Sequence, residues 1–163
     1  MRTLLLARHA KSSWDQPGVS DFYRCLNARG ESDAPVMAAY LKQCGYLIHQ
    51  IVSSDAVRAL ATADEYKKAL LPEKDMITHH DLYLASQQEI VQIAQSLCSQ
   101  DNTVMMVGHN PGITQALNYF TQAGIDNMPT CSVAIIQFDV MEWQDIVRAG
   151  GDLLAFEYPE KTR

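Results

Sequence analysis

Apolar residues run without a break from Leu4 to Ala7 and stop at Arg8-His9. A short apolar run without alternation predicts a strand buried on both faces, as in the middle of a parallel sheet. Thr103 to Val107 is a second such run, and it stops at Gly108-His109. Between them the spacing turns helical. Ala34, Met37, Ala38 and Leu41 fall on one face of a helix. That helix runs from an Asn27 cap to about Cys44, or starts after Ser32 with Pro35 in its first turn; Gly45 ends it. Leu47 to Ser53 reads as a strand, and Ser54-Asp55 as the cap of a helix from Ala56 to about Leu71, stopped by Pro72. A weak strand covers Asp75 to His79, and Ser86 caps a helix from Gln87 to about Ser99. After the Thr103 strand come a short helix through Phe120 and a strand from Cys131 to Phe138. Trp143 to Asp145 forms a turn or a single helical turn, Gly150-Gly151 a break, and Leu153 to Tyr158 a last strand. Strands alternating with helices predict a three-layer α/β/α sandwich, one domain over residues 1–163, with a mostly parallel sheet of about six strands. The last two strands lack a full helix between them, so one edge strand is expected to be antiparallel.

Composition narrows the function. A net charge of −6 argues against nucleic-acid binding, which wants a basic footprint, but leaves room for a small basic pocket. Cys25, Cys44, Cys98 and Cys131 form no CxxC pair and no metal spacing, so reduced thiols in a cytoplasmic protein are expected. No stretch approaches the ~18 apolar residues that span a bilayer. The N-terminal run is too short for a signal peptide, and Arg8, His9 and Lys11 follow it directly.

In open α/β sheets, ligands bind beyond the carboxyl ends of the strands. Two such ends deliver Arg8-His9 and Gly108-His109, and a third leads through Ser53-Ser54 to Arg58 in the first turn of a helix. Two arginines suit a metal poorly, because guanidinium cannot be a ligand and repels cations. They suit a phosphoryl group well, since each offers a planar fork that stays charged. A neutral histidine supplies a nucleophilic nitrogen. His79-His80-Asp81 does not compete as a metal site, because adjacent strand residues face opposite sides.

Several segments together resemble the histidine phosphatase superfamily, and within it the short phosphohistidine phosphatase branch, the SixA type. They are Arg8-His9-Ala10-Lys11-Ser12-Ser13-Trp14, then Asp21-Phe22-Tyr23-Arg24 through Asn27-Ala28-Arg29-Gly30, then Ser53-Ser54 with Arg58 and Thr62, and finally Gly108-His109-Asn110-Pro111-Gly112. They stand in the family's order over most of the chain. Ala10 replaces the superfamily's usual glycine, and Cys25 stands where proline is common. The resemblance implies a phosphoglycerate mutase-like fold and a covalent phosphohistidine intermediate on His9. It implies that Arg8, Arg58 and His109 hold the phosphoryl oxygens, with Ser12 and Lys11 as further donors, and that neither metal nor cofactor takes part.

The leaving group decides what else the site needs. An alkoxide leaves badly without an acid to protonate it. The superfamily's larger enzymes carry that acid in a longer segment after the second helix; here Pro72 to Ser86 is short, and Asp81 is the nearest candidate, with Glu73 and Asp75 behind it. Imidazole, with a pKa of about 6.5 as the free cation, leaves far more easily when protonated. The expected activity is hydrolysis of phosphohistidine on a protein, such as a phosphorelay or histidine phosphotransfer component. The alternatives are a phosphatase or mutase for small phosphorylated molecules such as sugar phosphates, and a phosphate-binding module without turnover.

Overall fold

A computed structural model describes residues 1–162. The strands are β1 (Arg2–Arg8), β2 (Gln50–Ser53), β3 (Ile77–Thr78), β4 (Thr103–Gly108), β5 (Val133–Phe138) and β6 (Gly151–Glu157). The helices are α1 (Ala28–Gln43), α2 (Val57–Leu70), α3 (Gln87–Gln95), α4 (Gly112–Thr121) and the terminal turn α5 (Pro159–Thr162). The sheet order is β3-β2-β4-β1-β5-β6. β1, β2, β3 and β4 are mutually parallel, and the antiparallel pairing lies at the far edge, where β5 runs against both β1 and β6.

Leu4, Leu5, Leu6 and Ala7 are fully buried, because β1 has a helical layer on each face. Leu5 and Ala7 pack with Met37 and Leu41 of α1 and with Ala59, Ala63 and Tyr66 of α2. Leu4 and Leu6 pack with Ile90 of α3 and with Ile113, Leu117 and Phe120 of α4. The expected three layers are therefore present, and the uninterrupted apolar run is their signature.

Local chemistry sets the helix boundaries. The Asn27 side chain accepts from Gly30 N at 2.9 Å, so α1 starts at the earlier of its two candidate positions. Pro35 lies inside it on the exposed side, where water can replace the backbone bond that proline cannot make. Ser86 and Glu89 close a reciprocal capping box on α3. That helix ends at Gln95, short of the expected Ser99, and Gly151 opens β6 instead of breaking the chain.

Two glycines permit close approaches beside the strand ends. A Cβ on Gly30 would sit 2.1 Å from Lys11 O, and one on Gly112 would sit 1.9 Å from Ala85 O. Helix starts thus press directly on the backbone of the loops that follow β1 and β3.

Candidate active site

The carboxyl ends of β1, β2 and β4 open onto a pocket of about 250 Å³. Arg8, His9, Lys11 and Ser12 line it from the β1 side, Arg58 from the first turn of α2, and His109 from the end of β4. Every phosphate-handling residue expected from the sequence is therefore brought together. Asp81 is not. The turn at His80–Leu82 buries Leu82 in the core and leaves Asp81 exposed, beside His79 and Glu89 in a separate depression. Glu73 and Asp75 are likewise exposed and do not line the pocket.

His9 is held on both sides. Its backbone N–H donates to Gly108 O at 3.2 Å, and its carbonyl accepts from Cys131 N at 3.0 Å. Its ring Nδ1 lies 2.7 Å from Ala10 O. A carbonyl can only accept, so Nδ1 carries the proton and Nε2 keeps its lone pair. Arg58 Nε donates towards that lone pair across 3.4 Å. Thr62, one turn after Arg58, fixes the same peptide: its Oγ1 accepts from Ala10 N at 2.9 Å and donates to Arg58 O at 2.8 Å. Ala10 thus acts through its backbone, and neither its substitution nor Cys25 reaches the pocket lining.

His109 stands 5.1 Å from His9, ring centroid to centroid. Its Nε2 lies 2.8 Å from Ser54 Oγ, which accepts from Ala56 N at 3.2 Å. The Ser54 hydroxyl has a proton and a second lone pair, so it can serve either tautomer of the His109 ring; when its proton goes to Nε2, the ring N–H is on Nδ1. His109 Nδ1 and Arg8 Nε are buried without a hydrogen-bond partner. Buried polar groups are rarely left so, and two of them beside one cationic pocket are suited to an oxyanion. The sequence placed Ser54 as a helix cap; α2 has no side-chain cap, and Ser54 orients His109 instead.

Sequence reasoning missed Asp21. It lies in a 3-10 turn, Asp21–Tyr23, that folds over the start of α2. Arg58 Nη1 donates to Asp21 O at 2.7 Å and Nη2 to Asp21 Oδ2 at 2.9 Å. Arg24 lies over the Trp14 ring at 3.6 Å and donates from Nη1 to Ser12 Oγ at 2.6 Å. Trp14 is 75% exposed and lines the pocket mouth with Leu84, whose φ of +50° is a left-handed conformation costly for leucine. The signal available in sequence was the Asp21-x-x-Arg24 spacing.

Electrostatics keep both rings neutral. Burial pushes His9 down to about 3; the Ala10 carbonyl opposes this, and His109, Arg58 and Arg8 reinforce it. Burial, then Arg58, pushes His109 down to about 4, with Asp21 opposing. Asp21 goes the other way from what burial favours: Tyr83, Arg58 and Arg24 hold its carboxyl at about 2.

An acid-stability prediction follows. Unfolded histidines bind a proton near pH 6.5, whereas the folded chain withholds it until about 3 and 4 at these two sites. In that window the unfolded state binds more protons, so stability falls as pH falls, by about 1.4 kcal/mol per pH unit for each ring. The urea midpoint is expected to drop steadily from pH 6.5 to 4.5 and to flatten in His9→Asn/His109→Asn. A wild-type midpoint that does not move over that range would contradict the assignment.

Among the described residues, no cluster of three or more His, Cys, Asp or Glu side chains could hold a metal ion, and no helix is long and apolar enough to cross a membrane. Cys25, Cys44 and Cys98 are exposed thiols outside any disulfide, and Cys131 is buried beside the Tyr66 hydroxyl.

The sequence model of the histidine phosphatase superfamily, branch 1, matches residues 4–83. An uncharacterised chloroplastic protein of Arabidopsis thaliana is 32% identical over 161 residues, covering 92% of this chain and 72% of that one. A crystal structure from Agrobacterium tumefaciens, named as a candidate phosphohistidine phosphatase SixA, is 26% identical with a TM-score of 0.82, over 97% of this chain and 98% of that one. The protein histidine phosphatase SixA complexed with tungstate shares the fold at 19% identity and a TM-score of 0.83, over 99% of each chain. On the family match, the extended relative and the sheet that carries them, this chain belongs to the histidine phosphatase superfamily, branch 1.

Proposed function

We propose that this protein is a phosphatase that removes the phosphoryl group from phosphohistidine on a protein, with His9 as nucleophile. One observation carries the reading: His9 Nε2 holds a lone pair, aimed by the Nδ1–Ala10 O bond, in a pocket lined by guanidinium groups. In the first step that lone pair forms a bond to phosphorus while the bond to the substrate nitrogen breaks. In the second, water attacks the phosphorus and His9 is released. Arg8, Arg58 and His109 bind the phosphoryl oxygens, and the partnerless Arg8 Nε and His109 Nδ1 are donors for them. Ser12 and Lys11 stand at the same wall as further donors. Phosphoryl transfer needs positioning and charge neutralisation above all, and these groups supply both.

Support for nitrogen-linked substrates comes from the carboxylates. Asp81 faces elsewhere, and Asp21 is held ionised, so neither offers a proton to a leaving alkoxide. The fold alone does not choose, since a phosphoserine phosphatase of Entamoeba histolytica shares it at 15% identity. A phosphorelay or phosphotransfer protein is the partner we infer, and exposed free thiols suit a reducing compartment such as the cytoplasm.

The test is a substrate panel without added metal. Phosphohistidine peptide is expected to be hydrolysed faster than sugar phosphates or nucleotides. Sugar phosphates turned over orders of magnitude faster would replace this reading with the small-ester one.

A further inference from the structure

Among the described residues that line the pocket, four are cationic, Arg8, Lys11, Arg24 and Arg58, and one is a carboxylate, Asp21. That carboxylate is surrounded by donors. Its Oδ2 accepts from Arg58 Nη2 at 2.9 Å and from Tyr83 Oη at 2.6 Å, and its Oδ1 accepts from Arg24 Nε at 3.1 Å. An ionised carboxylate offers roughly four lone-pair positions. One remains open on Oδ1, and the side chain is 38% exposed. Asp21 is therefore an acceptor with room for one more N–H, and it has no proton to give.

We propose that Asp21 sets the leaving-group specificity of this site: its carboxylate accepts the distal ring N–H of a phosphorylated imidazolium and keeps that ring protonated while the P–N bond breaks. The inference rests on the phosphohistidine reading above and adds to it the group that makes P–N cleavage favourable here. His9 Nε2 gives its electron pair to phosphorus. The bond from phosphorus to the substrate ring nitrogen breaks, and its pair returns to that nitrogen. The ring departs as neutral imidazole, with its proton still on the other nitrogen. Without that proton it would have to leave as imidazolate, a much poorer leaving group. No proton passes to or from Asp21.

The neighbouring charges make such a counter-ion necessary. Arg58 from α2, Arg24 from the loop after the 3-10 turn, and Arg8 and Lys11 from the end of β1 all oppose a cationic ring. His9 and His109 are neutral at working pH, and Tyr83 is a neutral donor. An opposite charge within about 4–6 Å raises the pKa of a cationic acid by ~1–3 units. Asp21 therefore extends the pH range over which the bound substrate is reactive. A phosphate ester gains nothing from it.

The experiment follows kcat against pH for wild type, Asp21→Asn and Tyr83→Phe, on a phosphohistidine peptide and on p-nitrophenyl phosphate. The kcat profile reports groups in the bound complex. In Asp21→Asn the alkaline limb on the peptide is expected to move down by about 1–3 pH units. On p-nitrophenyl phosphate, whose leaving group needs no proton, the limb stays in place even if the rate drops. Tyr83→Phe keeps the carboxylate, so its limb on the peptide stays where wild type has it. Coincident peptide limbs in wild type and Asp21→Asn would overturn the role of Asp21 and leave the phosphohistidine reading standing. A downward shift in Tyr83→Phe would overturn it too, by showing that the network acts only through structure. A wild type that does not cleave the peptide would overturn both.

Discussion

His9→Ala is expected to lose turnover by roughly 10⁴- to 10⁶-fold, the scale seen when a covalent nucleophile is removed. The fold should survive, because the strand-end contacts of residue 9 are made by its backbone N–H and carbonyl. The oxyanion donors survive as well: Arg8, Arg58 and His109 come from three different elements, and none depends on the His9 ring for its backbone position. The variant should therefore still bind orthovanadate or phosphate, measured by calorimetry, while producing no phosphate from any substrate. Retained activity would remove the covalent mechanism. Loss of both activity and anion binding would make His9 a structural residue.

Arg58→Lys is expected to produce the second-largest loss, about 10²- to 10³-fold in kcat/KM, although the charge is kept. Arg58 is 2% exposed and spends its donors in fixed directions, two on Asp21 and one on His9 Nε2. An ammonium cannot copy that fork. It would leave Asp21 short of a partner and the His9 ring held only through Nδ1 and Ala10 O. The stability cost should be smaller, about 1–3 kcal/mol, because the Asp21 side chain is 38% exposed and water can replace part of what is lost. Steady-state kinetics and urea denaturation on one preparation separate the two effects. A variant with wild-type kcat/KM would show that only the charge of Arg58 matters.

The parts of this site that lie at strand ends were legible in the sequence, and the reason is geometric. A central parallel strand is apolar until it leaves the sheet, so the first polar residues after Leu4–Ala7 and after Thr103–Val107 mark the pocket floor. Arg58 was readable because it falls in the first turn of a helix fed by β2. Asp21 was not, because residues 12 to 27 carry no periodicity. Its position depends on contacts that exist only after folding, with Arg58 37 residues away and Tyr83 62 residues away. Ser54 was visible but misassigned: a serine before a helix reads as a cap, and only the packed structure shows the His109 ring 2.8 Å from it. Asp81 failed for the opposite reason. Its place in the short segment after α2, where the superfamily's larger enzymes carry an acid, suggested the pocket, but the turn that buries Leu82 leaves Asp81 exposed in a separate depression. In the sheet, the antiparallel edge pairing was foreseeable from the missing crossover helix. That β5 is the reversed strand, one position inside β6, was set by the long return from α4.

The most direct measurement is the location of the phosphoryl group during turnover. Enzyme mixed with ³²P-labelled phosphohistidine peptide is quenched in alkaline denaturant, digested and mapped by mass spectrometry. Label is predicted on His9, stable to base, lost in acid and missing from His9→Ala; label on a cysteine, on a carboxylate or on His109 would contradict the account.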